Sequence, residues 1–169
     1  MTCVEVQSEN AAFVVRAGAD HVGGPLDVLG NDILVKISSK DTGGAFAVFE
    51  GHTPPLAGPP LHSHRYQDES WYIVKGRYRI EIDGETIFAG PGDTVFAPRG
   101  SRHTFQNIGT EPGITITTVV PGGLDDFFAE LSAAVPRGTA PDPAIVLPLF
   151  KKYDLELLGP PLAARPEPK

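Results

Sequence analysis

Residues 71–88 read Trp71-Tyr72-Ile73-Val74-Lys75-Gly76-Arg77-Tyr78-Arg79-Ile80-Glu81-Ile82-Asp83-Gly84-Glu85-Thr86-Ile87-Phe88, and this stretch decides the fold class. From Arg77 to Ile82 polar and apolar residues alternate strictly, which places Tyr78, Ile80 and Ile82 on one face of a half-buried strand. Asp83-Gly84 supplies the two left-handed positions of a tight hairpin turn, and Glu85-Thr86-Ile87-Phe88 returns as its partner strand. Working outward, the same pattern of short apolar runs cut by Gly, Pro and Asp extends from about Asp32 to Val120. Ile33–Ile37, Ala45–Phe49, Trp71–Val74, Thr94–Ala97, His103–Asn107 and Ile114–Val120 are the other expected strands. The 19 Gly and 17 Pro residues fit a chain with many turns. The fold class is therefore all-β.

After Pro121-Gly122-Gly123 the period changes: Leu124, Phe127, Phe128 and Leu131 recur at helical spacing, with Asp125, Asp126 and Glu130 on the other face. A Pro-rich linker over 136–148 and a second short helix over Leu149–Leu158 are expected to follow. The expected organisation is an N-terminal arm at 1–30, a barrel at 31–121, a C-terminal helical extension at 122–158 and a flexible tail at 159–169.

Charge and composition narrow the function. The chain has 169 residues with 14 basic and 21 acidic side chains, a net charge of −7. Its basic residues are scattered, so a nucleic-acid partner is not expected. No stretch reaches the roughly 18 consecutive apolar residues of a membrane helix, and the N-terminus lacks signal-peptide features. A cytoplasmic protein without a membrane partner is expected. The single cysteine, Cys3, excludes a disulfide framework within the chain. A chain of this length buries enough surface to fold without a structural metal, so any metal it holds would be functional. Phosphate-binding Gly loops, Gly-x-Ser-x-Gly elbows and Cys-x-x-Cys pairs are absent from the sequence.

Among five histidines, His62 and His64 sit two apart, a spacing that turns both imidazoles to one side of an extended backbone. Glu69 follows close by, and His103 lies on a later strand. Three nitrogens and one carboxylate suit a transition metal rather than Ca or Mg. His21 and His52 read as ordinary surface residues, and Tyr66, Gln67 and Asp68 as loop residues. By strand parity, an inward Glu69 implies inward Trp71 and Ile73, and an inward His103 implies inward Phe105. With Phe46 and Tyr78, these make an apolar, aromatic candidate substrate lining.

His62-Ser63-His64, four residues, Glu69, six residues, Gly76 resembles the first cupin motif; Gly92, five residues, Pro98-Arg99-Gly100, two residues, His103, three residues, Asn107 resembles the second. The first motif of that family opens with Gly, where this chain has Leu56 flanked by Gly51 and Gly58. The resemblance covers about residues 45–120 and implies a double-stranded β-helix jelly-roll barrel with short C-terminal helices. It also implies that His62, His64, Glu69 and His103 bind one divalent transition metal (Fe, Mn, Ni, Co, Cu or Zn). The most similar members are single-domain, quercetinase-like dioxygenases acting on enolic or phenolic, flavonol-like molecules. On that reading Glu69 is both a ligand and the candidate catalytic residue, and a small-molecule substrate with O2 as co-substrate is the expected partner. The alternatives are a metal-dependent lyase, isomerase or cyclase without O2 chemistry, and a non-enzymatic ligand-binding cupin. Cupins commonly dimerise, so a homodimer is expected, with the arm from Ala11 to Leu29 positioned to exchange between subunits.

Overall fold

The computed structural model describes residues 12–165. Cys3 and the arm up to Ala11 lie outside the described residues, as do residues 166–169. The chain runs through β1 (Leu26–Val28), β2 (Asn31–Ile37), β3 (Ala47–Thr53), β4 (Pro60–His64), β5 (Asp68–Lys75), β6 (Tyr78–Ile82), β7 (Glu85–Ala89), β8 (Thr94–Ala97), β9 (Arg102–Asn107) and β10 (Gly113–Val120). Then come α1 (Leu124–Ala134), α2 (Pro143–Lys152), β11 (Leu155–Pro161) and a short 3-10 turn at Leu162–Ala164. The strands form two antiparallel sheets, one ordered β1-β2-β3-β10-β5-β8 and the other β11-β4-β9-β6-β7. Facing each other, they make a jelly-roll sandwich. No helix among the described residues is long and apolar enough to cross a membrane.

The hairpin expected at Asp83-Gly84 forms between β6 and β7, with φ of 50° and 89° at the two turn residues. Leu56, at the position where the first motif has Gly, keeps the left-handed backbone with φ of 63°. Its N–H donates to the Asn107 carbonyl at 2.8 Å, which holds that turn in place. A left-handed residue with a Cβ carries a strain of roughly 1–2 kcal/mol, and the Leu56 side chain is 63% exposed, so little burial offsets it. Part of that strain relief is cancelled by the greater freedom of glycine in the unfolded chain. Leu56→Gly is therefore expected to raise stability by up to about 1 kcal/mol, measured by denaturant titration. A loss of stability would show that the left-handed turn is not strained.

The C-terminal segment corrects the sequence reading. Helix α2 begins at Pro143, inside the expected linker, because Asp142 caps it and Pro143 occupies the first turn, where no backbone N–H is needed. The Asp142 side chain accepts from the Ala144 N–H at 2.8 Å. The helix ends at Lys152, and Asp154, at φ 55°, turns the chain into β11 rather than into more helix. Leu155 pairs with His64 and Leu157 with His62, so the expected second helix over Leu149–Leu158 is half strand. Gly159–Pro161, expected in a flexible tail, complete that strand, and Arg165 bonds Glu81 at 2.9 Å. At the other end, β1 pairs with β2 of its own chain.

Two cores result. One, built of Trp71, Ile73, Tyr78, Ile80, Ala89, Val95 and Ala97, fills the closed end of the barrel. The other packs Val35, Ala47, Phe49 and Val119 against Leu124, Phe127 and Leu131 of α1 and Val146 and Phe150 of α2. Ser39 fastens the start of α1, its N–H and hydroxyl donating to the buried Asp125 carboxylate while its oxygen accepts from Gly123 N–H at 2.5 Å. The helices thus close the open end of the barrel.

Candidate metal centre

His62 and His64 on β4, Glu69 on β5 and His103 on β9 converge between the sheets. Each offers one ligand atom, and these atoms lie within 4.8 Å of one another. The two-residue spacing sends both β4 imidazoles inward, and the ladder between β4 and β9 sets His62 directly opposite His103. Glu69 arrives from the facing sheet, held between Val119 of β10 and Ala97 of β8. His64, Glu69 and His103 are buried and His62 is half-buried, and His62, His64 and Glu69 line one cavity.

The imidazoles are pre-oriented. Nδ1–H of His62 donates to the Pro60 carbonyl at 2.9 Å, and Nδ1–H of His103 donates to the Ser101 carbonyl at 3.1 Å. A backbone carbonyl can only accept, so in both neutral rings the lone pair sits on Nε2. Nε2 of His103 stands 3.2 Å from Glu69 Oε2, and Nε2 of His64 stands 3.5 Å from the same oxygen. Yet Glu69 Oε2 and His103 Nε2 are buried without a hydrogen bond of normal geometry. Buried polar atoms left this way are costly, and a cation among them would satisfy each lone pair. The residues fit one mononuclear transition metal; the donor set does not single out which.

Charge states agree with that fit. Burial, followed by the neighbouring His103 and His64, pushes His62 well below the ordinary value of 6.5. Burial also lowers His64, against the opposing pull of Glu69. Burial acts to raise the Glu69 carboxyl, but His103 at 3.2 Å, with His64 and His62 close by, outweighs it and holds the group at about 2. At neutral pH His62 and His64 are thus neutral imidazoles beside an ionised Glu69, the ligand-competent form of all three. The folded values of His62 and His64 lie below the unfolded one, so below about pH 6.5 the unfolded chain binds more protons and stability falls with pH. The contribution of Glu69 is present above its unfolded value of 4.5 and is lost as pH falls toward about 2. Metal-free protein should melt at a lower temperature at pH 5.5 than at pH 7.5; an equal or higher Tm at pH 5.5 would refute this ionisation pattern.

The cavity beside the cluster measures about 90 Å3. Trp71 and Phe105 line it, joined by Phe49, by Thr115 and Thr117 of β10, and by Phe127 and Phe128 of α1. The other three candidate lining residues stand elsewhere. Ile73 and Tyr78 point inward as parity requires but lie deeper, within the packed closed-end core, each 1% exposed. Phe46 precedes β3 and is absent from the cavity wall. Parity reports the side of a sheet, not the depth along the barrel axis. The helical residues of the lining were visible in the sequence as an apolar stripe, and the structure places that stripe over the barrel mouth.

Comparison with known proteins agrees with this architecture. Residues 49–119 match the family model described as Cupin_2, cupin domain. The chain carries a cupin domain. Its sequence is 30% identical over 77 residues to the mannose-1-phosphate guanylyltransferase ManC of Salmonella typhimurium, covering 46% of this chain and 16% of that protein. It is 28% identical over 94 residues to quercetin 2,3-dioxygenase of Bacillus subtilis, covering 56% of this chain and 28% of that protein. The chain thus spans less than a third of the length of either relative. A solved structure described as a predicted oxalate decarboxylase from Thermotoga maritima superposes on the cupin barrel with a TM-score of 0.57 at 20% identity, over 64% of this chain and 99% of that one. At that identity the likeness is one of fold.

Proposed function

We propose that this cupin is a mononuclear transition-metal dioxygenase acting on a small enolic or phenolic molecule. The observation that carries the reading is the convergence of three imidazoles and one carboxylate at the wall of a largely apolar cavity closed by α1 and α2. His62, His64, Glu69 and His103 would hold the metal, which when bound supplies Lewis acidity toward an enol or phenol oxygen and, for a redox-active ion, reactivity with O2.

The chain's own residues do the rest. Carbonyls of Pro60 and Ser101 fix two imidazoles and keep their Nε2 lone pairs inward. Trp71, Phe105, Phe127 and Phe128 surround an aromatic ring and exclude water. Glu69, held ionised at about 2, is a weak base while it remains among the imidazoles, and accepts the substrate proton only if a carboxylate oxygen turns toward the substrate. At about 90 Å3 the cavity is below the roughly 300–1,000 Å3 of sites for drug-sized ligands, which favours a one-ring substrate over a three-ring flavonol.

Oxygen uptake by protein loaded separately with Fe, Mn, Co, Ni, Cu or Zn, against a panel of one-ring enols, catechols and flavonols, tests the reading. Substrate-dependent O2 consumption by at least one redox-active form, with the one-ring compounds turned over fastest, is the expected result. Turnover without O2 consumption would overturn it in favour of a Lewis-acid lyase, isomerase or cyclase. Absence of turnover by every metal form would move the reading to ligand binding.

A further inference from the structure

The cavity wall is mostly apolar, and its polar side chains outside the metal cluster, Asn31, Thr53, Thr115 and Thr117, all stand on the sheet that faces β4 and β9. Asn31 is 6% exposed. Its Nδ2 donates to the Val28 carbonyl at 3.2 Å, closing the turn between β1 and β2, while its Oδ1 is buried with no hydrogen-bond partner. Giving the nitrogen to a carbonyl settles which end of the amide is which, and the atom left over is an acceptor. Of the buried polar atoms without a partner among the described residues, those of His64, Glu69 and Asn31 belong to side chains that line this cavity. His64 and Glu69 are candidate metal ligands. Asn31 has no such explanation, and a buried acceptor is costly unless something fills it.

Between Asn31 and the metal cluster the sheet leaves room. Its register places Phe49, Thr117 and Trp71 in one row, and Ile33, Gly51 and Thr115 in the next row away from Glu69. Asp32 pairs with His52, so Asn31 stands level with Thr53, one row beyond Gly51. Gly51 adds no side chain to the middle row, where a Cβ would come within 3.0 Å of the Thr115 hydroxyl. Successive inward rows are about 6.6 Å apart, so Asn31 lies roughly 13 Å along the sheet from the Thr117 row, a span that suits a ring with a short arm. We propose that Asn31 is the specificity-determining residue of the cavity and accepts from a hydroxyl or N–H on the end of the substrate away from the metal. The inference rests on the functional reading above and narrows its substrate to a one-ring enol or phenol with a donor-ended arm. A hydrocarbon arm in the same place leaves Asn31 Oδ1 unpaired, and the site rejects it.

The test uses full-length protein loaded with redox-inactive Zn(II) and reads the binding of paired catechols by calorimetry. Each pair sets a 4-hydroxyalkyl catechol, with an arm of one to three carbons, against the alkyl catechol in which methyl replaces the terminal hydroxyl. Wild type is expected to prefer the hydroxyl partner by about 10–100-fold at the arm length that reaches Asn31. Asn31→Leu should abolish that preference. Asn31→Asp loses the amide donor to Val28 but keeps an acceptor, so the preference should survive in it. Were Asn31 only a tie for the hairpin, its replacement would weaken both partners of a pair equally and leave their ratio unchanged. No preference for the hydroxyl in wild type at any arm length, an unchanged preference in Asn31→Leu, or its loss in Asn31→Asp overturns the proposal. Wild type that binds none of the catechols, with or without the hydroxyl, overturns the functional reading instead.

Discussion

His103→Ala is expected to abolish stoichiometric metal binding while the barrel stays folded. His103 supplies the only ligand from β9, sits opposite His62 and approaches Glu69 at 3.2 Å. Removing it leaves two imidazoles from one strand and a carboxylate from the facing sheet, with a hole where the fourth ligand atom stood. The fold does not depend on this group: the two apolar cores that hold the sheets together consist of other residues. The metal-free variant should lose only about 0.5–3 kcal/mol, the range of most single substitutions. Metal content after reconstitution, together with a denaturant titration of the metal-free form, checks both halves. A variant that keeps one tightly held metal would sink the four-ligand assignment.

Phe127→Ala should do the reverse. Phe127 is 3% exposed and its ring meets Phe128, Phe150 and Tyr153 at centroid distances of 5.8, 5.0 and 5.6 Å. Truncating a buried aromatic of this kind costs about 3–5 kcal/mol, because the cavity left behind collapses only in part. The lost ring also lies in the wall beside the metal ligands, so the cavity there enlarges. Metal stoichiometry should remain that of wild type, since all four ligands come from the barrel strands. Thermal unfolding of the metal-free form and metal analysis of the loaded form read the two effects. A Phe127→Ala protein as stable as wild type would mean that α1 does not close the barrel through this residue.

These opposite outcomes mirror what the sequence made legible. The hairpin at Asp83-Gly84 could be read because strict alternation and a turn pair with left-handed preference are local signals. The His62, His64, Glu69 and His103 set could be read because strand periodicity turns residues two apart to one side, and the second motif adds His103. The C-terminal segment could not. Leu155 to Leu158 carries apolar residues compatible with a helix, and its strand form is imposed by an open edge on β4 that exists only after folding. Depth along the barrel is equally hidden: Ile73 and Tyr78 share one packed cluster with Trp71 and Phe105, yet only Trp71 and Phe105 reach the cavity wall. Gln67 read as a loop residue, since its contact with Gly122 spans 55 positions.

The measurement that bears most directly on the central claim is elemental analysis of untagged protein purified without chelators, alongside His103→Ala prepared in the same way. Close to one transition metal per chain in wild type, and none in the variant, is the result that the four-ligand centre predicts. Wild-type protein that holds no metal, even after reconstitution with Fe, Mn, Co, Ni, Cu and Zn in turn, would contradict it and leave the cluster as a set of buried histidines in a ligand-binding barrel.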